Sequence, residues 1–85
     1  MVFETVKRNS TGTSVVVLQT VLRMMQYLGK NGLPLEIDGH AGENTIYAIN
    51  TFQRKARAYG YQCGTNGKNN SKFDKTCWKI LLGDM

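Results

Sequence analysis

Asp38-Gly39-His40-Ala41-Gly42-Glu43-Asn44-Thr45-Ile46-Tyr47-Ala48-Ile49-Asn50-Thr51-Phe52-Gln53 is the stretch on which the fold turns. Its first five residues read as a tight turn, because Gly39 and Gly42 tolerate positive φ and Thr45 carries a hydroxyl able to bond back to the turn. From Glu43 the period becomes helical. Thr45, Ala48, Ile49, Phe52, Ala56 and Tyr59 form one stripe, Glu43 suits the positive helix start, and Gly60 follows as a stop. The spacing predicts a helix over 43–59.

Upstream, Val15, Leu18, Val21, Leu22, Met25 and Leu28 recur at i, i+3, i+4 and i+7, which predicts an amphipathic helix over 14–28. Thr11, Thr13 and Ser14 are the expected caps at its start, and Gly29 the left-handed stop at its end. Downstream, Asp74 as N-cap, Cys77 and Leu81 on one face and Gly83 as terminator predict a third helix over 75–82.

Between the helices lie two turn-rich stretches, 30–42 and 61–73, containing Asn31-Gly32, Asp38-Gly39 and Asn66-Gly67. Loops of this length usually pack on the core through their own side chains or carry function. Here Leu33, Leu35, Ile37, Tyr61 and Cys63 are the expected anchors. The chain also resembles itself. Placing Asn66-Gly67 on Asp38-Gly39, with three extra residues in the second copy, aligns Thr76 with Thr45, Trp78 with Tyr47 and Ile80 with Ile49, as in a duplicated turn-plus-helix unit.

Eighty-five residues, 41% hydrophobic and 20% charged, make one small globular domain. No run of 18 apolar residues is present to cross a bilayer. The start, Met1-Val2-Phe3-Glu4, lacks the basic and apolar regions of a secretory signal, so export is expected to need outside help. Net charge is +5, unevenly placed: residues 54–79 hold seven bases against Asp74, while residues 1–53 balance at four each. A basic half-surface suits a polyanionic partner such as nucleic acid, an acidic wall polymer or a membrane face, and it equally suits a solvated face that maintains solubility.

Together these residues resemble the type-1 peptidoglycan-binding domain of cell-wall hydrolases. The match is carried by Gly12, Val15 or Val16, Leu18-Gln19 and Leu22, then Asp38 to Thr45, Ala48-Ile49, Phe52-Gln53 and a Thr-Trp-Leu-Leu ending, across residues 6–82. The family pattern reads G-x-x-V-x-x-L-Q-x-x-L, then D-G-x-F-G-x-x-T-x-x-A-V-x-x-F-Q, then D-G-x-x-G-x-x-T-W-x-x-L. This chain departs from it at Ala41, at Asn66-Gly67, through an Asn69-Asn70-Ser71 insertion with Phe73 at the Gly position, and with Trp78 one residue late. The resemblance implies an all-α fold, a three-helix orthogonal bundle with two long turn-rich loops. It also implies a non-catalytic module holding a fused amidase, peptidase or muramidase on its polymer, in the cell wall or carried by a phage and released at lysis. The chain would be a monomer without cofactor or membrane partner.

Independently of the family, Leu18 and Phe52 read as core, and Gln19 and Gln53 as side chains that satisfy loop backbone groups. For ligand contact the informative residues are Tyr47, Tyr61 and Trp78 with Asp38, His40, Asn44 and Arg54. Aromatics stack on sugar faces, Asp and Asn meet hydroxyl and N-acetyl groups, and Arg meets stem-peptide carboxylates. Trp78 has a second reading as core.

Catalytic constellations are thin. His40 is the only histidine and shares one turn with Asp38 and Glu43, where a nucleophilic triad needs groups converging from different elements. A catalytic zinc would need Cys63, Cys77 and His40 together, so no metal is expected. Glycoside hydrolysis would need two carboxyls at a set separation, with Glu36, Asp38 and Glu43 the only cluster. Cys63 and Cys77 fit either a disulfide or two buried thiols. Two other function classes compete: a small basic nucleic-acid binder, and an inhibitory or assembly module, since the matrix metalloprotease prodomain shares the implied fold.

Overall fold

The computed structural model describes residues 3–83. Three helices make up its regular structure: α1 (Thr13–Met24), α2 (Glu43–Ala58) and α3 (Lys75–Leu82). Among the described residues there is no strand, and no helix is long and apolar enough to cross a membrane. The all-α expectation therefore holds at the level of three helices.

Each helix forms for the reason its sequence gives, with corrections at the ends. α1 buries Val15, Leu18, Gln19 and Leu22. It stops at Met24, short of Leu28, so Met25 and Leu28 stand 51% and 45% exposed. The stop is Gln26, at φ 67. Gln26 N–H donates to Arg23 O and Tyr27 N–H to Leu22 O, both at 3.0 Å, the paired bonds of a Schellman ending. Gly29 is constrained differently: a Cβ there would lie 2.7 Å from Asn44 Cβ, so the loop can cross the start of α2 only as glycine. At the other end no side chain caps α1. Gly12 is the N-cap, and Ser14 Oγ instead accepts from Glu4 N–H at 3.0 Å.

α2 closes in the same way. Gly60 sits at φ 94, with Gly60 N–H on Arg57 O and Tyr61 N–H on Ala56 O, both at 3.0 Å. Tyr59, expected on the buried stripe, is the C-cap and 83% exposed. α3 keeps its expected bounds, with Asp74 accepting from Cys77 N–H at 3.1 Å. Its buried pair is Cys77 with Trp78, and Leu81 is only half-buried.

The loops are stitched by backbone pairs. Val6 and Phe73 exchange both hydrogen bonds, at 3.0 and 2.7 Å, and Ala41 pairs with Asn9 and Ser10 at 2.9 and 2.8 Å. Leu35 and Cys63 anchor the loops as expected, whereas Leu33, Ile37 and Tyr61 are exposed. An aromatic chain runs through the core from Tyr27 to Phe52, Phe73, Trp78 and Phe3, with centroid separations of 4.4 to 6.0 Å.

Contacts reveal the duplication and correct its register. Gln19 and Gln53 are 1% and 0% exposed. Gln19 Nε2 donates to Asp38 Oδ1, His40 O and Thr45 Oγ1, and Gln53 Nε2 to Asn70 Oδ1, Lys72 O and Cys77 Sγ. Asp38 Oδ1 accepts from His40 N–H as Asn70 Oδ1 accepts from Lys72 N–H. Arg23 donates to Leu35 O, and Arg57 to Cys63 O. The second copy of Asp38 to Thr45 is thus Asn70 to Cys77, with no insertion. Asn66-Gly67 is a separate tight turn, with φ 52 and 75, inside the loop. Trp78 corresponds to buried Ile46, not to Tyr47. α2 serves both copies, as the second helix of the first and the first helix of the second.

Candidate functional site

The loop after α1 and the start of α2 enclose a shallow groove of about 340 Å³. Gln19 builds its floor. Its Oε1 accepts from Asp38 N–H at 3.1 Å and Gly39 N–H at 3.0 Å, while its Nε2 holds the Asp38 carboxylate at 3.0 Å. A buried amide thus fixes both the backbone and the carboxylate of the turn, which leaves little freedom for the groups that face outward.

Asp38, His40 and Asn44 all line this groove, so the structure brings together three of the seven residues singled out from sequence. The His40 backbone N–H, followed by the Gln19 amide, holds the Asp38 carboxyl below the usual carboxylate range. Asn44 Oδ1 lies 3.4 Å from Asn31 N and thereby touches the far wall. Glu36 and Glu43 also face the groove, with Leu33 and Pro34 as apolar wall. Lys30 Nζ meets Glu43 Oε1 at 2.7 Å, an exposed pair that lowers the Glu43 carboxyl and raises the Lys30 amine. With Asp38 and Glu43 both pushed down, each is an acceptor at neutral pH. A glycosidase acid needs the opposite shift.

Tyr47 and Arg54 continue from the groove along α2. Residues 44, 47, 51 and 54 fall on one helical face, spanning about 15 Å of axis. Tyr47 is 47% exposed and Arg54 exposed.

Tyr61 and Trp78 do not join this site. Tyr61 follows the other end of α2, at the edge of a second groove of about 520 Å³ with Arg57, Cys63 and Asn66. It also borders an apolar groove with Tyr27, Tyr59 and Lys55, whose Nζ sits 5.2 Å from the Tyr27 ring centroid. Burial and then the neighbouring Tyr59 raise the Tyr27 phenol. Trp78 is core. It is 5% exposed, stacks on Phe3 at 4.4 Å, meets Phe73 edge-on at 4.9 Å and donates from Nε1 to Glu4 O at 3.0 Å. Its place among the ligand residues is therefore withdrawn.

Sequence reasoning missed Asn31, Leu33 and Pro34 as groove wall and Tyr59 as an exposed aromatic. For Tyr59 a signal existed: the following Gly60 takes the left-handed position, which puts Tyr59 at the cap and outside the last full turn. For the wall residues none did, because they face the groove only through Gly29 crossing Asn44. Among the described residues no three His, Cys, Asp or Glu side chains converge to hold a metal ion. Comparison with protein-family models, curated proteins and solved structures finds no match to this chain.

Proposed function

We propose that this domain is a non-catalytic module that binds the peptidoglycan of the cell wall and holds a fused or partner hydrolase on that polymer. The observation that carries the reading is the convergence of Asp38, His40 and Asn44 on one groove whose turn is fixed by Gln19. Hydroxyl and N-acetyl groups of a glycan are suited to these acceptors and donors, and Leu33 and Pro34 offer the apolar contact a sugar face requires. The α2 face through Tyr47 and Arg54 extends the same track, as an extended polymer needs. Weak contacts repeated on an insoluble wall add up to firm retention.

Two features support the family resemblance that prompted this reading. In the structural register, Asn70 to Trp78 falls on the family's second turn-plus-helix motif without a gap, with Trp78 at the tryptophan position and Phe73 where the first motif has its aromatic, while Asn70, Ser71, Asp74 and Cys77 stand at its Asp, Gly, Gly and Thr positions. The two buried glutamines occupy the L-Q and F-Q positions. An orthogonal packing of the helices, a monomeric state and a wall or phage-released location belong to the same proposal.

The nucleic-acid alternative draws on residues 54–79. The groove itself argues against a polyanion there, since Glu36, Asp38 and Glu43 line it and, among the described residues, Lys30 makes the one ion pair with them. The test is co-sedimentation with purified sacculi stripped of teichoic acid, in parallel with duplex DNA, at low and high salt. Retention on sacculi that survives high salt is expected. His40→Ala and Tyr47→Ala should each weaken it about tenfold, roughly 1.4 kcal/mol, without changing stability. Release from both polymers alike at high salt would mean that charge alone does the binding.

A further inference from the structure

Cys63 and Cys77 are the chain's two cysteines. They come from different elements, the loop after α2 and the first turn of α3, and both are buried. Their Sγ atoms are 2.8 Å apart.

The duplication makes this pairing informative. The equivalent positions of the first copy are Leu35 and Thr45, an apolar anchor and a hydroxyl that takes the Gln19 amide at 3.0 Å. In the second copy the Gln53 amide reaches Cys77 Sγ at 3.7 Å, and sulfur is a weak acceptor. Cys77 therefore reproduces only weakly the hydrogen bond that Thr45 makes. What it has in addition is a second sulfur facing it from the loop.

We propose that Cys63 and Cys77 are a built-in cross-linking site, forming an intradomain disulfide when the folded domain meets a small-molecule disulfide oxidant. Cys63 enters first, because its loop borders the open groove beside Arg57 and Gly64 while Cys77 is held within α3. The Cys63 thiol gives up its proton, and the thiolate attacks one sulfur of the oxidant, whose S–S bond breaks to release one thiolate. Cys77 in turn gives up its proton, its thiolate attacks Cys63 Sγ in the mixed disulfide to form the Cys63–Cys77 bond and release the second thiolate, and the two released thiolates take up the two protons. Two thiols and one disulfide become one disulfide and two thiols, with two electrons passed to the oxidant. Burial pushes both thiols up. Attack in the closed domain is consequently slow, and its rate follows the opening of the loop.

The cross-link would fasten the loop carrying Tyr61 and Asn66 to α3, independently of which polymer the domain binds. The test equilibrates the full chain in defined ratios of reduced to oxidised glutathione, followed by intact mass and thermal unfolding. The expected product is a monomer lighter by two hydrogens, with Tm raised by about 10 °C over the reduced form. Cys63→Ala should abolish the redox dependence of Tm. If that variant does not fold, the oxidised and reduced wild-type chains decide the matter by themselves. A persistent single glutathione adduct, a disulfide-linked dimer or an unchanged Tm would overturn the proposal.

Discussion

In the first copy of the duplicated unit, Gln19 accepts two loop N–H groups and its amide is answered by an ionised carboxylate and a hydroxyl. In the second, Gln53 accepts the Asn70 N–H alone and its amide is answered by a neutral amide oxygen and a thiol. Other parts of the second copy make up the difference. Phe73 stands where the first has Ala41, both fully buried, and its ring joins Phe52 to Trp78. One loop is thus held mainly by polar bonds and leaves an open, acidic groove. The other has its own polar bonds, among them the reciprocal Asn50–Ser71 pair and Arg57 on Asn69, and adds aromatic packing through Phe73, with Lys68 and Lys72 on its surface. The same backbone plan thus carries an acidic groove in one half and an aromatic link to the core in the other.

The largest effect of a single change is expected at Phe73. Phe73→Ala should cost about 3–5 kcal/mol in denaturant unfolding, since it empties the centre of the aromatic chain. A loss below about 2 kcal/mol would mean that the second loop is held in some other way. Next come the glutamines. Gln19→Ala should cost about 3 kcal/mol and Gln53→Ala roughly 1 kcal/mol less, following the number of loop groups each leaves unpaired. Equal costs, or the reverse order, would remove the contrast between the two halves.

Two glycines separate a tertiary constraint from a local one. Gly29→Ala should cost about 2 kcal/mol by forcing the loop off Asn44. Gly60→Ala, with nothing within 4 Å of its Cβ, should cost only about 1 kcal/mol of left-handed strain. The smallest effect concerns acid. Because the folded state depresses the Asp38 pKa below its ordinary 3.8, its contribution is present above that value and lost as pH falls through the lower folded value. Asp38→Asn, which copies the Asn70 turn, should flatten stability in this window alone when melting is followed from about pH 5 to about pH 2.

Much of the fold was legible in the residues themselves. Helical periodicity located all three helices, because Leu18, Phe52 and their neighbours face one core, and the two glutamines were identified from the need to satisfy long loops. Two things were not legible. Gly29 looked like a helix stop because its real constraint, the approach of Asn44, is tertiary. Asn66-Gly67 looked like the second copy of Asp38-Gly39 because it is the stronger local turn, and it does form one. The helix-entry motif is the weaker-looking Asn70-Ser71, recognisable only through Gln53. Within the candidate site, Asp38, His40 and Asn44 could be named because they share one motif, while Trp78 misled because an aromatic beside a loop reads alike whether it faces in or out.

The most direct test is to add a soluble muropeptide fragment, disaccharide plus stem peptide, to the isotope-labelled domain and follow backbone amide shifts. Perturbations are expected to centre on residues 38–44 and to continue along α2 to Arg54, with the loop 61–73 unmoved. Shifts confined to that loop and α3, or none at saturating fragment, would contradict peptidoglycan binding by the first groove.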